Sequence, residues 1–441
     1  MKRSRYIVWA LLLCLFAWQS SVSFAAEKYR TEARVPDIAT LRVLLSSDQL
    51  PSSSLSRPYL LLNGEAGLDV SFDQLSHEVH YYTYTLRHLN FDWTPDDLMT
   101  QEFLSGDLTA EITDFEHSHN TQQLYTHYRF TFPNEQMQPT VSGNYALIIY
   151  EDNDPDRVVA TVCFCVVEQG ATIQAKLRSD TDIEYAGRYQ QLDIEVDLHD
   201  PLSTLNTRVS ALVVEQNNRQ DNAVIAPRPS FIEAQRLRWQ NNRALIFEGG
   251  NEYRHIDMSS EYFMGQGVDH ITFDHSAPQN GFFTSGYHAY LFEDDIRTGG
   301  YIYNEDANGR YVINKERTDD DDIDADYMWV HWLLPADLWL DGGIYLMGDA
   351  FGNRIAPANR MHYDENLRAY VFSAYLKQGG YEWLYTFYNS RTSGKASTER
   401  VEGSYWQTRN HYRIYYYYQG VSDRYTRLLC VKDMENILIA N

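Results

Sequence analysis

The chain has 441 residues, with 61 acidic side chains against 37 basic ones and a formal charge of −24. Such a surface repels nucleic-acid phosphates and anionic lipid headgroups, which excludes the usual polyanion binders. Aromatic residues make up 14% of the chain and only four cysteines occur, so neither a disordered nor a disulfide-framed class fits.

Residues 1–26 have the layout of a cleaved secretory signal: a basic start at Lys2, Arg3 and Arg5, an apolar run over 6–18, and a small-residue exit at Ser23-Phe24-Ala25-Ala26. The chain is expected to leave the cytoplasm. Cys14 lies in the apolar run behind Leu11-Leu12-Leu13, without the small residue that a lipid-attachment site needs, so anchoring is not expected. No later stretch reaches the ~20 consecutive apolar residues of a spanning helix, and the mature chain is expected to be soluble.

From there, short runs of aromatic and β-branched residues alternate with polar ones and are separated by Gly, Asn, Asp and Pro clusters, which predicts an all-β protein. Strands are expected at 79–86, 125–132, 145–150 and 158–167, with one short helical stretch at 95–104. They continue at 192–198, 209–214, 287–292 and 301–303, then at 327–333, 344–348, 369–376, 381–388, 412–418 and 424–431. Turn words such as Asp306-Ala307-Asn308-Gly309 and Gln378-Gly379-Gly380 fall between them. The spacing favours tandem immunoglobulin-like β-sandwiches, divided at Glu168-Gln169-Gly170 and in the charged run 315–326. The expected units are 27–168, 169–316 and 317–441. Cys163 and Cys165 are two apart in one strand, too poorly aimed to bond each other. With Cys430 they read best as free thiols.

Few constellations carry chemistry. The run Asp319-Asp320-Asp321-Asp322-Ile323-Asp324-Ala325-Asp326 places carboxylates at calcium-loop spacing but lacks the central Gly and has Val330 where the loop needs Glu. A solvated acidic linker is the better reading. His117, His119 and His127 could meet on a hairpin face, but no fourth zinc ligand is set by spacing. There is no Gly-x-Ser-x-Gly elbow, no His-Glu-x-x-His helix and no phosphate loop. No catalytic residue, metal or cofactor is therefore assigned, and no small-molecule substrate is expected. Large aromatics are the better suspects, because they are favoured at protein contact centres and as sugar platforms. Trp329, Trp339 and Trp383, with Tyr415 and Tyr417 of the run Tyr415-Tyr416-Tyr417-Tyr418, are the candidate partner-interface residues.

Two resemblances add to this. The words at 344–351, 361–370 and 379–385 resemble the strand order of early-set immunoglobulin-like and glycogen-binding modules, which makes a periplasmic carbohydrate-binding module the alternative reading. The stronger one spans nearly the whole mature chain. Tyr82-Thr83-Tyr84-Thr85-Leu86-Arg87-His88, Asp92-Trp93-Thr94-Pro95, Ile112-Thr113-Asp114-Phe115-Glu116, Tyr125-Thr126-His127-Tyr128-Arg129-Phe130 and Ser142-Gly143-Asn144-Tyr145 resemble, in order and gaps, the N-terminal region of the type IX secretion plug family. The likeness continues at Phe247-Glu248-Gly249-Gly250-Asn251-Glu252-Tyr253-Arg254, Tyr287-His288-Ala289-Tyr290, Tyr327-Met328-Trp329 and Glu402-Gly403-Ser404-Tyr405. It implies a non-enzymatic periplasmic protein that closes the inner end of the giant outer-membrane translocon barrel and meets the outer membrane through that partner.

Overall fold

The computed structural model describes residues 28–46, 58–219, 222–275, 285–391 and 395–436. The secretory signal expected at 1–26 lies outside them.

The first sandwich faces two sheets across a core, antiparallel but for the short strand Tyr59–Leu61, which runs parallel to Val158–Val167. One runs Glu32–Ala33, Val158–Val167, Gly143–Glu151, Tyr82–Leu89, Ala110–Ile112; the other runs Ile38–Leu45, Leu68–Gln74, Thr126–Phe132, Asp114–His117. Alternation supplies the facing rows, with Val70, Phe72 and Tyr128 opposite Tyr84, Leu147 and Phe164. The strand Val158–Val167 is almost wholly buried along its length. It is an apolar run because its second face is covered too, by the next domain.

The second sandwich is discontinuous in sequence. Its first sheet contains Ala171–Arg178, Tyr189–Leu198, Arg236–Trp239 and Phe231–Ile232, and its second orders Val224–Ile225, Thr207–Gln216, His411–Gly420 and Arg427–Glu435. The third sandwich lies between these pieces. It builds one sheet on the long strand Gly379–Tyr388 and another in the order Val268–Asp274, Gly286–Leu291, Tyr327–Pro335, Ala369–Lys377, His362–Asp364.

The boundary expected at 316/317 therefore does not hold. Tyr311 and Ile313 pair with Tyr381 and Gly379 across it, and Ile256, Tyr311 and Trp332 share one core. The last strands return to the second sandwich because Tyr416 and Tyr418 are needed around Trp239. A run of charge looks like a linker, but here it only interrupts one core. Two smaller expectations also change: the helix at 95–104 is the single turn Thr100–Phe103, and 301–303 carries no strand.

The two crossings between second and third sandwiches lie side by side, and they are the words 247–254 and 402–405. The Tyr405 N–H donates to the Gly250 carbonyl at 2.9 Å, and Asn251 Nδ2 donates to the Glu402 carbonyl at 3.0 Å. Glu402 is fully buried between Arg254, at 3.0 Å, and Arg297, at 2.7 Å. Burial pushes its carboxyl up, but the two arginines more than offset this and leave it below the usual range. Backbones approach so closely at Gly249 that a Cβ would stand 1.9 Å from the Tyr405 carbonyl oxygen. Gly249→Ala should accordingly cost about 1–3 kcal/mol or more of stability through overpacking, measured by urea denaturation; a neutral result would show that the crossings can part.

Candidate functional site

The first and third sandwiches meet through a buried polar seam. Asp73 and Lys377 are 0% and 1% exposed, and Lys377 Nζ donates to Asp73 Oδ2 at 2.6 Å. The same carboxylate accepts from Tyr327 Oη at 2.7 Å and sits 2.6 Å from His127 Nδ1. Burial pushes the Asp73 carboxyl up, but Lys377 and His127 overcome it and hold it at about 2. Lys377 also stands 4.1 Å over the Tyr125 ring. The acidic run closes the seam. Asp322 pairs with Arg42, Asp326 accepts from the N–H groups of Gln122 and Gln123 at 2.6 and 3.0 Å, and Tyr125 Oη donates to the Ala325 carbonyl at 2.8 Å. The solvated linker expected at 319–326 is instead a docking segment, because its carboxylates find cations and amides on another domain.

The first and second sandwiches meet through an aromatic seam. Tyr415 and Tyr417, the tyrosines named as partner-interface candidates, are 2% and 1% exposed. They pack with Cys165, Val167 and Val213 against Tyr59, Phe91 and Trp93, and Tyr417 Oη donates to Asn144 Oδ1 at 2.8 Å. The tyrosine run does present an interface, but the partner is the same chain. Cys163, Cys165 and Cys430 are free thiols, the first two buried.

The tryptophans separate. Trp383, 3% exposed, packs edge-on to Trp332 in the core and is unavailable to any ligand. Trp329 is half-buried against Tyr375, beside the polar seam. Trp339 is half-buried in the loop after Tyr327–Pro335, with the Arg400 guanidinium 4.0 Å over its ring and Phe387 edge-on. With one tryptophan in the core and the other face-covered, the sugar platform of the alternative reading is not assembled.

A row of rings crosses the outer face of the same sheet. His270 stacks on Tyr290 at 4.6 Å, and Tyr290 on His331 at 4.6 Å. His331 Nδ1 lies 2.8 Å from Ser373 Oγ and its Nε2 lies 2.9 Å from His288 Nδ1. This resembles a nucleophile–base relay in spacing alone. Burial, with His288 beside it, pushes His331 down to about 4, which makes it a weak base at neutral pH. The three histidines weighed for zinc diverge: His117 contacts Thr126, His127 contacts Asp73, and His119 is exposed near Asp324. Among the described residues no group of three or more His, Cys, Asp or Glu could hold a metal ion, and no helix is long and apolar enough to cross a membrane.

Two carboxyls are tuned to neutral pH, since burial pushes both Glu252 and Glu382 up to about 7. Burial pushes Glu382 up, with Asp306 adding to it against the N–H groups of Ala307 and Gly309, to about 7. A raised carboxyl favours folding when protonated, so its contribution is present below pH ~4.5 and is lost as pH rises through about 7. At ~1.4 kcal/mol per unit, stability should fall by roughly 1–3 kcal/mol over that window. Glu382→Gln should flatten part of the slope in urea titrations at pH 5 and 8, with Glu252 keeping the remainder; an unchanged slope would assign it to Glu252 and other groups.

Sequence reading missed Asp73, Lys377 and the two leucines beside Trp339. Leu338-Trp339-Leu340, an apolar triplet between Pro335 and Gly342-Gly343, was a legible signal. Nothing local marks the charged pair.

Residues 38–168 match the family model described as Type 9 secretion system plug protein 1st domain. A crystal structure of a hypothetical protein from Parabacteroides merdae ATCC 43184 superposes with a TM-score of 0.86 at 34% identity, covering 93% of this chain and 100% of that one. No curated protein matches the chain. The matched domain is the one that supplies Asp73, His127 and Asn144 to both seams, and it belongs to the type 9 secretion system plug family as that family's first domain.

Proposed function

We propose that this protein is a non-enzymatic periplasmic plug that reversibly closes the periplasmic end of the type IX translocon barrel in the outer membrane. The observation that carries the reading is the family match over the first sandwich. The seams support it. Blocking a wide pore needs bulk, stiffness and a complementary surface and no reactive group. A buried ion pair and a tyrosine-lined contact join the three sandwiches and would hold them as one body. Reversible seating then asks only that a substrate-loaded barrel disfavour the seated state.

The test is affinity recovery of the tagged mature protein from detergent-solubilised outer membranes, with mass spectrometry of what accompanies it. Stoichiometric recovery of one very large barrel protein is expected. Recovery of the bait alone, where other envelope complexes survive, would overturn the reading.

A further inference from the structure

We propose that the open end of the third sandwich is the surface that seats on the partner, and that the receiving surface is apolar at its centre and basic at its rim. This rests on the plug reading for the partner's identity. Three adjoining loops gather large apolar side chains there: Phe292 is 59% exposed, Leu338 46%, Leu340 90% and Leu367 59%. The loops adjoin at the ends of neighbouring strands. Phe292 and Leu367 line a single groove of about 510 Å³, the Asp294 N–H donates to the Leu333 carbonyl at 2.9 Å, and Arg368 reaches Asp337 at 3.2 Å. Exposed apolar side chains gathered at one end mark a contact site more than residues scattered singly do.

Three further observations favour a protein partner at this end. The loop is held in place, since the Trp339 N–H donates to Tyr370 Oη at 2.8 Å and Arg400 covers the indole while pairing with Asp341 at 2.9 Å. A pre-ordered loop loses little entropy on binding. The position is also right. The strands Tyr327–Pro335 and Ala369–Lys377 each have one end in the polar seam and the other here, about 26 Å away at ~3.3 Å per residue. Finally, Glu293 and Glu365 are exposed around the patch, and its two arginines already pair with Asp337 and Asp341. The residual charge is acidic, so basic side chains on the receiving rim would steer and orient docking.

The test places a photo-crosslinking amino acid in the full-length protein at Leu340 or Leu367, and separately at Tyr262 and Tyr185, which are 75% and 84% exposed elsewhere. Adducts formed in cells are identified by mass spectrometry. Adducts with one outer-membrane barrel from positions 340 and 367 alone are expected. Barrel adducts from Tyr262 or Tyr185 with none from 340 and 367 would overturn this surface while leaving the plug reading standing. No barrel adduct from any position would count against both, and a self-adduct from 340 would make the end a dimer contact. As a second arm, the double variant Leu338→Asp with Leu340→Asp should recover about tenfold less barrel at unchanged melting temperature; undiminished recovery would overturn the proposal.

Discussion

Replacing Lys377 by Ala is expected to lower the unfolding free energy by about 3–5 kcal/mol, because it strands the Asp73 carboxylate in a site with no access to water. His127 and Tyr327 remain beside it, which places the loss within that range. Pairing Lys377→Met with Asp73→Asn removes both charges and should cost markedly less than Lys377→Ala. Because the seam ties two domains, unfolding is expected as one transition in the parent and as two in the alanine variant. Urea denaturation read by fluorescence, with hydrogen exchange over 121–127 and 321–327, measures both effects. A loss below ~1 kcal/mol with a single transition would mean that the seam does not clamp the domains.

Tyr417→Ala should have an effect of similar size on the other seam, about 3–5 kcal/mol for deleting a ring that no solvent reaches. Tyr417→Phe isolates the hydrogen bond to Asn144 and should cost about 1 kcal/mol. The reference is Leu205→Ala, at a side chain 79% exposed, which should stay within ~0.5 kcal/mol of the parent. If Tyr417→Ala behaves like Leu205→Ala, the aromatic seam is a loose contact and the single-body account fails on that side.

Much of the architecture was legible because sandwich strands carry their burial in a period of two. The strands expected at 192–198 and 327–333 alternate in burial and stand where that period puts them. What alternation cannot say is what covers a strand's second face. Tyr415 and Tyr417 do point away from their own core, but toward the first sandwich, so an outward face was read as a free one. The acidic run failed for a related reason. Asp322 finds Arg42 across a separation of 280 residues, and local composition carries no sign of that cation. Domain division failed where the chain returns: no feature of 411–435 announces that its partners are 207–216 and not the strands just before it. The words 247–254 and 402–405 were recognisable, but their reason, two crossings pressed together at Gly249, is purely spatial. Of the five aromatic candidates only Trp329 and Trp339 keep exposed area. Trp383 alternates with Tyr381 and Tyr385 on an inward row, whereas Trp339 sits between two leucines in a turn.

The most direct test of the central claim is electrical. The purified translocon barrel is placed in a planar bilayer and this protein is added to one side at a time. The account predicts a stepwise, reversible fall in conductance on addition to the periplasmic side alone, weakened by the Leu338→Asp, Leu340→Asp variant. Conductance that stays unchanged while the protein demonstrably binds the barrel would contradict occlusion and leave a docking partner that does not close the pore.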